Sequence, residues 1–331
     1  MIPSVQYQQL YPSKSYAPKS SNINFGGKAI VEKLGKDTYV GARNFLIQET
    51  AFFREPETLE FIKDYVMKVF KNEPEINIID GACSCGYETF SLAMLFDKLA
   101  QKVNITGFDI GEQAIEAAKK GKFEIKSLKY PHKYEDIMKK SVAAFNDDYL
   151  AFVPQETLNI KQLEYKKMFN DFFDEIPNYK EKLSLAERFQ RFLFKKMLPI
   201  SQVKGYQVKP EKADTCRFVQ GDILKLDNIV DSNSADVILF RNALYHLTTY
   251  EGPMGFKLPL PDDEIIPAVK KVVEQVDKAL SPEGLFVIGS HPSDHMLTAG
   301  EVLYSELEKR GFTPALKDSS YTSVLVWAKN K

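Results

Sequence analysis

Six small residues, Gly81-Ala82-Cys83-Ser84-Cys85-Gly86, stand between an apolar run, Ile76-Asn77-Ile78-Ile79, and a helical stretch that begins near Tyr87. A strand, a tight turn and a helix start let a charged ligand approach the backbone, because the first helical amides lack partners and no bulky side chain shields them. A phosphate loop reads GxxxxGK[ST]; Tyr87 follows Gly86 where the lysine would stand, which argues against a triphosphatase. The dinucleotide fingerprint GxGxxG is met at Gly81 and Gly86 only, and Cys83 at its centre would obstruct a pyrophosphate. S-adenosylmethionine brings a ribose and an amino acid to such a turn, with no pyrophosphate to seat, and small residues suffice for it.

Carboxylates follow at the neighbouring strand ends. Asp109 closes Asn104–Asp109, where it can accept hydrogen bonds from both ribose hydroxyls, although capping the helix after Gly111 is the alternative. Gly221-Asp222-Ile223 follows a third strand; there Asp222 can accept an adenine amino group while the Ile223 amide donates to the ring, or Asp222 is a simple turn residue. Cys83 and Cys85 form a C-x-C with no second cluster, which reads as packing. His291 and His295 stand at i, i+4, but Pro292 between them opposes the helix that would turn both toward one metal. No metal site is expected.

The elements that must position these groups alternate. Strands are expected over Ile76–Asp80, Asn104–Asp109, Cys216–Gln220, Asp236–Phe240, Leu285–Gly289 and Tyr321–Ala328. Helices are expected over Thr58–Phe70, Tyr87–Ala100, Glu112–Lys120, Asp262–Leu280 and Leu297–Arg310. The pattern predicts an α/β fold with a doubly wound, mostly parallel sheet. Residues 73–124 and 214–331 make up this domain, preceded by a flexible tail (1–28) and a helical segment (29–72). Residues 125–213 interrupt it and are far longer than a normal connection. Their pattern predicts a helical subdomain, with helices near Glu135–Phe145, Thr157–Phe173 and Glu181–Met197, set over the strand ends as an acceptor-binding lid.

Bulk properties narrow the class. With 44 Lys and Arg against 45 Asp and Glu, a net charge of −1 gives no basic surplus, so no nucleic-acid partner is expected. Three cysteines cannot build a disulfide framework and suit a reducing, cytoplasmic setting. No signal peptide or membrane-length apolar segment is read, so no membrane insertion is expected.

Four motifs then give the pattern a family. Cys83, Ser84, Gly86, Glu88, Ser91, Leu92 and Ala93 resemble the turn A-C-S-x-G-E-E-x-Y-S-L-A of the chemotaxis-receptor glutamate methyltransferases, the CheR type, with Tyr87 in place of the first acidic residue. Thr50-Ala51-Phe52-Phe53-Arg54 is similar to the family's T-x-F-F-R, Ala118–Phe123 to A-x-x-G-x-Y, and Phe240-Arg241-Asn242 to C-R-N. The resemblance implies a Rossmann-like class I fold with a seven-stranded sheet, and methyl transfer from S-adenosylmethionine, leaving S-adenosylhomocysteine. The acceptor would be a protein carboxylate, a small molecule being the alternative; loss of turnover in a protein that only binds the cofactor is a second alternative. The implied cofactor set is Thr50, Arg54, Gly81, Ala82, Cys83, Glu88, Asp109, Ile110, Asp222, Ile223, Arg241 and Asn242. Within it Arg54 would pair with the methionine carboxylate, Glu88 with its amino group, and Asn242 would lie beside the methyl group. Arg54, His246 and Tyr245 are the catalytic candidates. The family has an active-site tyrosine where this chain has His246, just after Tyr245; histidine there is suited to act as a base toward a protonated acceptor, or simply packs. The family also has a basic helical N-terminal domain and a small β-subdomain, neither of which the pattern here predicts.

Overall fold

The sequence of the middle strands explains their place. In β1 (Glu75–Gly81) and β7 (Ala235–Leu239), Ile76, Ile78, Ile79, Val237, Ile238 and Leu239 are all buried, as in a strand covered on both faces. The computed structural model describes residues 52–129, 160–180, 200–251, 257–289, 297–317 and 323–330. Around β1 and β7 lie β2 (Lys102–Asp109), β6 (Cys216–Gln220), β10 (Leu280–Val287), β11 (Phe312–Lys317) and β12 (Val324–Lys329). They form a seven-stranded sheet of order β11-β12-β10-β7-β1-β2-β6. β1 is parallel to β2 and β7, β2 to β6 and β7 to β10, whereas β12 is antiparallel to both β10 and β11. The doubly wound class I arrangement expected from the sequence is present.

Alternation sorts the side chains between two cores. Ile76 and Ile78 of β1, with Val237 and Leu239 of β7, face the layer containing α1 (Pro56–Val69), α2 (Tyr87–Phe96) and α3 (Glu112–Lys120). Ile79 and Ile238 face α6 (Asp262–Ala279) and α7 (Leu297–Lys309), whose Val269, Val272, Val276, Leu303 and Leu307 complete the second core. Chain order runs outward from β1 through β2 to β6, then restarts at β7 on the other side. The strand order therefore reverses between β1 and β7, and a crevice opens at their carboxyl ends, where ligands of open α/β sheets bind.

The inserted region differs from its purely helical reading. It contains α4 (Ile160–Phe172), as expected, but also β3 (Lys122–Lys129), β4 (Phe173–Glu175) and β5 (Ile200–Val208) in an antiparallel sheet of order β3-β5-β4. The strand signal was present in Phe123 and Ile125, buried at a period of two, and in Tyr206 and Val208. It is weak because β3 pairs with a strand some eighty residues later, Phe123 lying opposite Tyr206, and local periodicity carries no trace of that partner. β11 was also missed; Pro314 lowers its strand signal and is tolerated because β11 is an edge. The expected helices at Glu135–Phe145 and Glu181–Met197, the tail 1–28 and residues 29–51 lie outside the described residues. Among the described residues no helix is long and apolar enough to cross a membrane.

Aromatic rings join this insertion to the domain. Phe123 of β3 meets Phe52 (ring centroids 4.9 Å), Tyr87 (4.7 Å), Phe90 (5.6 Å) and Phe173 (5.4 Å). Phe123→Ala should therefore destabilise the protein by roughly 3–5 kcal/mol, through lost contacts and the cavity left behind. Urea unfolding checks this, and an unchanged midpoint would show that the insertion is not part of the cooperative core.

Candidate functional site

The turn after β1 is built from left-handed residues: Ala82 (φ 57°), Ser84 (φ 51°) and Gly86 (φ 88°). Glycine is required at position 86 on two counts, its φ and its closeness to Ala118 and Phe218, which a Cβ would meet at 3.1 Å. Asp109 at the end of β2 holds the turn. Its Oδ2 accepts from the Ser84 amide at 2.9 Å and its Oδ1 from the Gly111 amide at 2.8 Å, so one carboxylate joins the β1 and β2 loops. Burial raises its pKa, and the donated amides work in the other direction. Below the turn, buried Asp80 accepts from Thr89 Oγ1 at 2.5 Å, and burial followed by the nearby Glu88 charge pushes its pKa well up. The Cys83 thiol is also buried and pushed well up by desolvation, which suits packing and not chemistry.

Across the crevice, Arg241 follows β7 with its side chain only 1% exposed. Its Nη1 donates to Glu88 Oε1 at 2.9 Å, while Nη2 lies 3.1 Å from Glu55 Oε2 and donates to the Arg54 carbonyl at 2.9 Å. Burial opposes the charge of Arg241, but the Glu88 and Glu55 carboxylates outweigh it and hold the group protonated. Burial raises the pKa of Glu88 while Arg241 lowers it. Glu55 also accepts from Asn242 Nδ2 at 3.3 Å and lies 4.0 Å from Arg54 Nε. Arg54 itself is 32% exposed, so its guanidinium is the accessible cation of this group.

The segment carrying Arg54 is strained and tethered. Phe53 and Glu55, its two neighbours, both have φ 52°, a conformation costing of order 1–3 kcal/mol in a non-glycine residue. The Phe53 amide donates to Ser91 Oγ at 2.8 Å, and the Phe53 ring stacks on Tyr165 of α4 at 4.5 Å. The Tyr165 hydroxyl donates in turn to Glu60 of α1 at 2.7 Å. The insertion thus packs directly against the residue preceding Arg54.

The other candidates fall around the same strand ends. Asp222 Oδ1 accepts from the Leu224 amide at 2.9 Å, the turn role, while Ile223 is buried beneath it. The Ile110 carbonyl accepts from Gln220 Nε2 at 2.9 Å, and the Gly221 amide donates to the Asp109 carbonyl at 2.9 Å, drawing the β2 and β6 ends together. Asn242 has φ 52° and packs on Gly289, where a Cβ would come within 3.1 Å of its amide. His246 and Tyr245 share the short helix α5 (Tyr245–Thr248), their ring centroids 3.9 Å apart. Thr50, His291 and His295 lie outside the described residues. Sequence reasoning missed Glu55, Ser91 as a tether, and Tyr165. A carboxylate directly after Arg54 was the available signal for Glu55; nothing local announced Tyr165.

Comparison with known proteins places this geometry. Residues 48–176 match the family model described as "CheR methyltransferase, SAM binding domain". This segment resembles the CheR type. The matched segment contains the Arg54 turn, the β1 turn, Asp109, and the insertion as far as β4. Similar curated proteins include the chemotaxis protein methyltransferases of Campylobacter jejuni subsp. jejuni serotypes O:23/36 and O:2. Each is 28% identical over 162 residues, covering 44% of this chain and 60% of the relative. The chain thus spans less than two thirds of the length of these relatives. Solved structures resemble it more loosely. The CurJ carbon methyltransferase is 13% identical with a TM-score of 0.38, the match covering 82% of this chain and 54% of that one. The geranyl diphosphate C-methyltransferase of Streptomyces coelicolor is 8% identical with a TM-score of 0.35, covering 79% and 62%. The fold assignment rests on the strand order.

The buried carboxyls make stability depend on pH. A raised folded-state pKa means that the folded protein keeps its proton where the unfolded chain has lost it. The stabilisation from Asp80 is therefore complete below its ordinary value of 3.8 and is lost as pH rises through its raised folded value. Asp80→Asn keeps an oxygen for Thr89 and removes the titration. It should flatten the decline in unfolding free energy above pH 4 by up to about 1.4 kcal/mol per pH unit. Identical slopes for the two proteins in urea titrations would contradict this.

Proposed function

We propose that the protein is an S-adenosylmethionine-dependent methyltransferase acting on an acceptor carboxylate, as the CheR resemblance implies. The observation that carries the reading is the crevice at the β1–β7 reversal. A partly exposed guanidinium (Arg54), a mostly covered carboxylate (Glu88) and a turn-holding carboxylate (Asp109) are gathered at its edge. These groups fit the donor chemically: a guanidinium for the methionine carboxylate, a carboxylate for its ammonium, and Asp109 for the ribose hydroxyls. A carboxylate has four lone-pair sites, so Asp109 retains acceptor capacity beyond the amides that hold it in the turn. Asp222, with one oxygen engaged in its own turn, keeps the other for the adenine amino group.

When bound, the donor supplies an electrophilic methyl on a sulfonium leaving group. The acceptor oxygen forms its bond to that carbon as the carbon–sulfur bond breaks, and the sulfur leaves as a neutral thioether. A carboxylate is ionised at neutral pH, so no residue needs to remove a proton. The task of this chain is then to orient: Arg54 and Asp222 would fix the two ends of the donor and Asp109 its ribose, Asn242 would line the transfer point, and the insertion would cover the crevice against water. A second reading rests on His246, which stands where the family has tyrosine. As a base it would serve a hydroxyl or amine acceptor.

Calorimetric titration tests the donor assignment. The protein should bind S-adenosylmethionine and not NAD, and Asp109→Ala should weaken binding by about 10-fold or more through the lost ribose bonds and the loosened turn. Binding of NAD alone would overturn the reading. His246→Ala should leave donor binding unchanged. If transfer is also unchanged, the base role is refuted and the carboxylate reading gains support.

A further inference from the structure

The Arg241 guanidinium reaches the same edge of the crevice as Arg54, but it is enclosed by protein. We infer that Arg241 is a positioning residue for Arg54, acting through Glu55 and the Arg54 carbonyl, and does not itself touch a ligand; this rests on the methyl-donor reading above. Three observations support it. Its side chain is 1% exposed, leaving no surface for a ligand to contact. Both terminal nitrogens are engaged by protein acceptors, Nη1 by Glu88 and Nη2 by Glu55 and the Arg54 carbonyl. The residues it grips bracket a backbone that would not hold its shape unaided, with Phe53 and Glu55 both at φ 52°.

The chemistry requires a guanidinium. A planar fork can meet one carboxylate with one nitrogen, and a second carboxylate plus a carbonyl with the other, whereas an ammonium is a point charge on a flexible stem. Glu55 is the link. Arg241 holds one of its oxygens, and Asn242, the residue that follows it in the loop after β7, donates to the other. Two consecutive residues of one strand end therefore fix the carboxylate beside Arg54. The Ser91 hydroxyl holds the amide of Phe53 from the opposite side. Arg54 thus lies in a segment clamped on both flanks.

A residue that acts only by placing Arg54 should affect only the part of the donor that Arg54 addresses. The test compares calorimetric binding of S-adenosylmethionine with that of 5′-methylthioadenosine, which has the nucleoside and thioether but no amino-acid carboxylate. Arg241→Lys and Glu55→Gln should each weaken S-adenosylmethionine binding about tenfold and change 5′-methylthioadenosine binding less than about twofold. Glu55→Gln preserves shape, so it carries the test if Arg241→Lys does not fold. In an Arg54→Ala background Glu55→Gln should not weaken S-adenosylmethionine binding further, because its route of action is gone. Equal losses for both ligands, or losses that add to that of Arg54→Ala, would overturn the positioning role. Failure of the unsubstituted protein to bind either ligand would instead overturn the methyl-donor reading beneath it.

Discussion

A buried guanidinium needs carboxylates around it, and the site is organised by how this chain meets that need at Arg241. Glu88 comes from the first turn of α2, Glu55 from the start of α1, and Arg241 from the end of β7. Three elements distant in sequence are thus drawn to one point. Removing one partner of such a group leaves an uncompensated charge, at about 3–5 kcal/mol, so the three are constrained to stay together. The β1 turn and the Arg54 segment are consequently fixed with respect to each other before any ligand arrives. Preorganisation of this kind suits a reaction in which the protein mainly orients its reactants.

The insertion shares in this constraint and is not simply a cover. Phe52 sits among Tyr87, Phe123, Phe169 and Phe173, while Phe53 stacks on Tyr165. The residues just before Arg54 are therefore core residues of the insertion as much as of the domain. The insertion is mechanically close to the Arg54 turn, since Phe53 alone separates Arg54 from Tyr165 of α4 along this path. The antiparallel sheet β3-β5-β4 brings the chain nearer to the CheR pattern than its sequence suggested.

Legibility in the sequence followed the range of the interactions. The strand–turn–helix units were readable because their signals are local: the isoleucines of β1, the small residues of its turn, the helical spacing of Ile265, Val269, Val272 and Val276 in α6. Glu112–Lys120 and Cys216–Gln220 were bounded to the residue. Asp109 was placed at the end of β2 from the sequence because that strand's signal is local. The sheet in the insertion was not readable, because β3 and β5 specify each other across a long separation. Glu55 and Tyr165 were missed for the same reason. A carboxylate beside Arg54 looks like a solvated neighbour until Arg241, 186 residues further on, is known to be against it. The motif records that Arg241 is present, and not that its guanidinium is turned toward Glu88, Glu55 and the Arg54 carbonyl.

Methyl transfer itself is the claim on which the rest depends. The most direct measurement is incubation of the protein with methyl-labelled S-adenosylmethionine and a lysate of its native organism, followed by separation of protein from small molecules. Label should appear in the protein fraction and be released as methanol by mild alkali, as expected of a carboxyl methyl ester. Alkali-stable label, or label confined to small molecules, would contradict a protein carboxylate as acceptor, and no transfer to either fraction would contradict the enzyme.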